Sequence, residues 1–169
     1  MGLLDLDNYI NIVLAKILAD QDLCKYIYYD VDQPLSQATI TDTSILSDRY
    51  SADRRIFATP FDPDIHGTQQ TSIHIELSQS ERTDSTYYKS VNISFIILSH
   101  NHLWELYTAD ASISLRPNKI VSKLFELFNR QQSIGIGSPH FSEIEPIYFN
   151  DTVSGYKVTF ENVDFTENT

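Results

Sequence analysis

The stretch SIHIELSQSERTDSTYYKSVNISFIILSH, Ser72–His100, decides the fold class. Its first arm alternates Ile73, Ile75 and Leu77 with His74, Glu76 and Ser78, the period-two pattern of a strand with one buried face. ERTDST, residues 81–86, is a polar turn. Beyond it, Val91, Ile93, Phe95 and Ile97 line one face of a longer arm, which predicts a long antiparallel hairpin. A second hairpin is predicted in SEIEPIYFN (142–150) and GYKVTFENVDF (155–165), joined by DTVS. There Tyr156, Val158 and Phe160 alternate, and Val163 and Phe165 continue the apolar character. LWELYT, residues 103–108, is a candidate third strand.

Helical spacing brackets these hairpins. At the N-terminal side Leu3, Leu6, Ile10, Val13, Ile17 and Leu18 recur at helical intervals, with Leu14 widening the stripe. A further turn or short helix carries Leu23, Cys24, Ile27 and Tyr28. Between the hairpins, SLRPNKIVSKLFELFNR (114–130) reads as a second helix. Pro117 suits its first turn, Ile120, Val121, Leu124, Phe125 and Phe128 form its apolar stripe, and Gly135 lies past its end. Residues 31–55 are polar and irregular, a short strand is predicted at Ile56–Thr59, and PFDPDIHGTQQ (60–70) is a cluster of breakers. Residues 31–70 are therefore expected to form an extended loop or arm, a candidate for contacts. The order is helix, loop, hairpin, helix, hairpin. It predicts a single α+β domain over 1–169, with two long hairpins in one antiparallel sheet and both helices on one face.

Charge narrows the function. The chain has 12 Lys and Arg against 23 Asp and Glu, a formal net charge of -11. Such a surface repels phosphate backbones, and fits basic protein partners or mimicry of DNA. The single cysteine, Cys24, forms no internal disulfide and is read as a buried thiol. No apolar run is long enough for a membrane span, and MGLLDLDNYI lacks a basic signal region; Leu6 breaks the myristoylation pattern. A cytoplasmic protein is expected.

Motifs of catalysis or metal binding are weak. His100 and His102 stand two apart, and His66, His74, His140, Asp62 and Asp64 could be imagined around a metal, yet none follows a structural zinc spacing. They are read as surface histidines. GIGSPH (135–140) follows a helix, whereas a phosphate-binding loop precedes one. The sequences DTS (42–44) and DTVSG (151–155) are not Asp-Thr-Gly. No cofactor or metal is expected.

Two basic clusters remain. SDRYSADRRIF (47–57) carries Arg49, Arg54 and Arg55 beside Asp48 and Asp53, and arginine forks suit carboxylates of a neighbouring acidic subunit. On the second helix Arg116, Lys119, Lys123 and Arg130 share one face with Glu126 at alternating steps of three and four. That face is expected to be solvated or pressed against an acidic identical neighbour. DNA is the least favoured partner, because Phe125 and Phe128 fall on the apolar side.

The layout carried by LDNYINIVLAKILAD, the IHIEL and VNISFIIL pair, RPNKIVSKLFELFN and IYFNDTVSGYKVTFENVDF resembles the tail terminator and head-to-tail joining proteins of tailed bacteriophages. The resemblance implies a structural virion protein, not an enzyme, assembled in the host cytoplasm. It would form a homo-oligomeric ring, hexameric by that likeness, which terminates the tail tube and meets tail tube and neck proteins. DNA would pass through its lumen without sequence-specific recognition, and no membrane would be involved. The rival readings are an acidic DNA-mimic inhibitor and a metal-dependent hydrolase using His100, His102 and Asp residues.

Overall fold

The computed structural model describes residues 6–59, 69–79, 91–108, 110, 112–131 and 138–162. Its centre is a five-stranded sheet in the order β1-β2-β3-β7-β6, built from β1 (Ile56–Phe57), β2 (Thr71–Gln79), β3 (Val91–His100), β6 (Pro139–Tyr148) and β7 (Val153–Asn162). β2 and β3 pair antiparallel from Thr71↔Ser99 to Gln79↔Val91, and β6 and β7 form the second antiparallel pair. The two hairpins meet through an antiparallel β3–β7 ladder, with Phe95 opposite Val158 and Ile97 opposite Tyr156. β1 adds a short parallel edge, with Ile56 opposite Ile73. A separate two-stranded ladder joins β4 (Glu105–Leu106) to β5 (Ser114–Leu115). The α+β architecture read from the periodicities is the observed one.

The helices are α1 (Leu6–Ala19), α2 (Gln21–Tyr28) and α3 (Arg116–Phe128). α1 buries Tyr9, Val13 and Ile17, four residues apart and hence on one face. It stops where Asp20 starts α2: the Asp20 carboxylate accepts a hydrogen bond of 2.8 Å from the Leu23 N–H and so caps the new helix. α2 then buries Leu23, Cys24, Tyr26 and Ile27. Burial, with the nearby Asp20 charge, pushes the Cys24 thiol up to about 12. A thiol held protonated in this way is inert at neutral pH.

These helices cover the face of the sheet that carries Ile73, Ile75, Ile93, Phe95, Ile97, Val158 and Phe160. At its middle, the Phe95 ring lies 5.0 Å from Phe128 of α3 and 5.9 Å from Phe160 of β7. Each fully buried aromatic of this kind contributes about 1.5–3 kcal/mol relative to an exposed one. Two buried polar pairs bridge neighbouring strands: Thr71 with Ser99 at 2.9 Å, and Ser94 with Thr159 at 3.1 Å. The turn closing the second hairpin is held by the Asn150 side chain, which accepts from the N–H groups of Thr152 and Val153.

Several expectations need correction. Residues 31–59, the described part of the expected loop or arm, are irregular up to β1 apart from two short 3-10 turns, Pro34–Ser36 and Thr43–Leu46, and are anchored to the body of the domain. Pro34, Ile40, Leu46, Ile56 and Phe57 among them are buried, and Gln21 of α2 exchanges two hydrogen bonds with the Ile40 backbone. Pro34, Ile40, Leu46 and Ile56, six to ten apart, match no helix or strand period, so the segment looked structureless. The strand predicted at Ile56–Thr59 is two residues long, and LWELYT contributes only β4. Phe125, assigned to the core stripe, is 43% exposed; Ile120, Leu124 and Phe128 carry the contact instead. Residues 60–68 of the breaker cluster at 60–70, the turn at 81–86, Leu3, Gly135, Val163 and Phe165 lie outside the described residues.

Candidate interaction surface

α3 begins at Arg116, whose side chain turns inward instead of joining a basic stripe. It is fully buried, and its guanidinium donates to the carbonyl oxygens of Tyr26 (2.6 Å), Tyr29 (2.8 Å), Val31 (2.5 Å) and Leu103 (2.8 Å). A helix leaves its last carbonyls unpaired and its C-terminus partly negative. Arg116 supplies both the donors and the charge at the end of α2. Burial lowers its pKa while Asp30 and Asp32 oppose that shift. Arg116 is therefore a structural link between α2, α3 and the turn before β4, and is not open to a neighbour.

The remainder of the supposed stripe also divides. Lys123 lies 3.4 Å from Asp22, 3.5 Å from Glu126 and 3.9 Å from Asp20. Partial burial acts to lower its pKa, but Asp20, Glu126 and Asp22 outweigh it and hold the amine above the ordinary lysine value. Its charge is spent within the chain. Lys119 is exposed, on the rim of a cleft of about 350 Å³ shared with Tyr26, Asp32, Leu106 and Tyr107. Arg130 is exposed too, and its backbone is left-handed, with φ of 57°. That conformation closes α3 in place of the glycine usual there. Arg130→Gly is expected to stabilise the fold by about 0.5–1 kcal/mol, seen as a raised urea midpoint with unchanged slope.

The arginines ahead of β1 are unlike one another. Arg55 is held between Asp30 (3.5 Å) and the Gln70 side chain (2.7 Å). Arg54 lies over the Phe57 ring at 4.7 Å. Arg49 lies 5.0 Å from the ring of Tyr50, which is 84% exposed. The free features of this corner are thus Arg49 and Tyr50. Exposed tyrosine beside arginine is the composition of contact surfaces rather than of ordinary protein exterior.

At the far edge of the sheet, β6 exposes nearly every residue. Between it and α3 runs a groove of about 380 Å³ lined by Val121, Ser122, Phe125, Glu126, Phe141 and Ile144. The Phe125 and Phe141 rings meet edge to face at 5.7 Å, and Phe141 rests on buried Phe160 at 6.1 Å, so the groove floor is continuous with the core. The sequence reading missed this groove, because it placed Phe125 inside. The stretch FSEIE in β6 held the signal: Phe141 and Ile144 are interleaved with Glu143 and Glu145, a poor match to a covered strand.

The histidines do not converge. His100 is buried at the end of β3, where its Nδ1 accepts from the His102 N–H at 3.3 Å, and its ring stacks on that of exposed His102 at 5.2 Å. His74 is buried against Phe57. The reading of both His74 and His100 as surface residues is thereby corrected; His140 on β6 is exposed. Among the described residues, no three His, Cys, Asp or Glu side chains gather where they could hold a metal. His66, Asp62 and Asp64 lie outside them. Asp42 of DTS caps a short turn by accepting from the Ser44 hydroxyl and N–H, bonds that lower its pKa.

An α+β protein with an exposed Arg49–Tyr50 corner and an open sheet edge is the class defined here. The model of the YomW family matches residues 20–162, from the cap of α2 to the end of β7. The chain belongs to the YomW family, and is a phage-associated protein. No curated protein matches it. No helix among the described residues is long and apolar enough to cross a membrane.

Proposed function

We propose that the chain is a structural assembly protein of a tailed phage, forming a ring at the neck that terminates the tail tube and joins tail to head. Membership of a phage-associated family supports the setting. The observation that carries the reading is the β6 edge, a ten-residue strand with an apolar groove beside it and almost all of its residues in solvent. Long open edges invite pairing or docking, and proteins otherwise blunt or cover them. The work of such a protein is geometric: rigid copies joined side by side set the diameter at which a tube stops and a connector seats. It performs no catalysis and holds no cofactor.

Acidic mimicry of DNA has weaker support. Many carboxylates are used inside the chain: Asp20 and Asp42 as caps, Asp30 with Arg55, Glu76 with Lys157 and Asp22 with Lys123. Those groups are local partners rather than a regular external array.

Deleting the gene from its phage is the direct test. Expected are filled heads and separate tails of irregular length by negative-stain microscopy, with joining restored when the purified protein is added to the lysate. Normal virions from the deleted phage would remove the proposal.

A further inference from the structure

The two lateral edges of the sheet are unlike, and they complement each other. At the β1 edge, the turn over 47–54 projects Tyr50, 84% exposed, with Arg49 against its ring. Arg49, Arg54 and Arg55 stand here with Asp48 and Asp53; Arg55 is paired with Asp30 and Arg54 lies over Phe57, which leaves Arg49 as the cation presented with Tyr50. At the β6 edge lies the groove between α3 and β6 with the exposed carboxylate of Glu126 in its lining; Glu143 and Glu145 alternate with Ile144 onto the other face of the sheet. Phe125, Phe141 and Ile144 in that groove are 43%, 38% and 44% exposed. Glu126 keeps its side chain 67% exposed although it touches Lys123, so it has acceptor capacity left.

We infer that the Arg49–Tyr50 corner of one copy docks into the groove between α3 and β6 of the next copy. The inference rests on the ring reading above and names its joint. The chemistry matches on three counts. A tyrosine ring can lie against Phe125, Phe141 and Ile144, which releases water from apolar surface on both sides. Arg49, already preorganised on that ring, arrives beside the free acceptors of Glu126. The pairing of Arg49 with Glu126 sets the orientation of this encounter. The floor of the groove is held by the core through Phe141 and Phe160, so the groove side need not order itself on contact. β6 also contains Pro146 opposite Tyr156, and proline within an edge strand hinders backbone pairing with another chain. Side-chain docking, rather than one continuous sheet, is the joint this edge can form.

A contact between two different surfaces of one chain is heterologous: it propagates, and closes into a ring when the rotation per step permits.

Paired cysteines test it. Ala52→Cys, beside the docking tyrosine, and Ser122→Cys, on the groove wall, are made as separate variants; both positions are exposed, both leave Tyr50 and the apolar groove residues in place, and native Cys24 is buried and out of reach. Under mild oxidation at high protein concentration, the expected result is a disulfide-linked dimer when the two variants are mixed and none from either alone. The double variant should give a ladder of larger species ending in a closed ring. Covalent dimers from a single variant would show like surfaces meeting, and would overturn the inference. So would the absence of cross-links while native mass spectrometry still shows oligomers, which leaves the ring reading standing on another joint. A strict monomer by native mass spectrometry at every concentration would remove both. Tyr50→Ala gives a second measure: self-association should weaken about tenfold or more while thermal unfolding stays unchanged. Unaltered association in that variant would overturn the docking.

Discussion

Arg116→Met is expected to lower the stability of the protein by about 3–5 kcal/mol, the range seen when one partner of a buried charged network is removed. With a urea slope of about 2 kcal/mol per molar, the midpoint would fall by about 2 M. The methionine fills much of the space but offers no donor to the carbonyls of Tyr26, Tyr29, Val31 and Leu103. The end of α2 then loses its cap, and the connection to α3 loosens. Arg116→Lys retains the charge, but a single ammonium cannot span four acceptors arranged around a planar fork, so an intermediate loss is expected. A methionine variant that unfolds within about 0.5 kcal/mol of the parent would show that water or backbone adjustment satisfies those carbonyls instead.

Gly155→Ala should be more severe still. Gly155 lies in β7 opposite Leu98 of β3, and a Cβ built there would stand 1.7 Å from the Ile97 carbonyl oxygen. The obstacle is backbone, so no side-chain rotation relieves it. The reason for glycine here is close approach of two strands. Even one methyl group must push β3 and β7 apart at the seam between the two hairpins. A loss of more than about 4 kcal/mol is expected, in the range that only a few mechanisms reach. At that cost the variant would accumulate in the insoluble fraction, and any soluble part would show loss of near-ultraviolet signal. A well-folded alanine variant of near-parental midpoint would mean that the two strands can separate locally without consequence.

What could be read from residues alone was whatever is encoded locally. The alternation in Ile73–Leu77 and Val91–Ile97, the apolar positions of α3 and the connection DTVS at 151–154 each depend on neighbours a few positions away. They gave the hairpins, the second helix and the fold class. The β3–β7 seam depends on two strands more than fifty residues apart, and nothing in either strand names its partner. Arg116 was placed with Lys119 and Lys123 because helical spacing is blind to what stands at the helix start. A clue did exist: a cation at the N-terminal end of a helix opposes that helix's own dipole, and so suggests service to another element. The lateral complementarity was half visible. Arg49, Arg54 and Arg55 were singled out, yet only the fold separates the engaged Arg55 from the free Arg49 and brings the β6 groove to the opposite edge.

The order of strands has a bearing on biosynthesis. β3 has β2 on one side and β7 on the other, and β7 comes last among the five. A chain leaving the ribosome from its N-terminal end therefore carries β3 with one bare flank until β7 emerges. During that interval Phe95 and its neighbours have no β7 against them, and the first hairpin is a template for wrong partners. Slower translation after α3 would lengthen this exposure. Chaperone dependence should then track the time needed to make the second hairpin, rather than the stability of the finished protein.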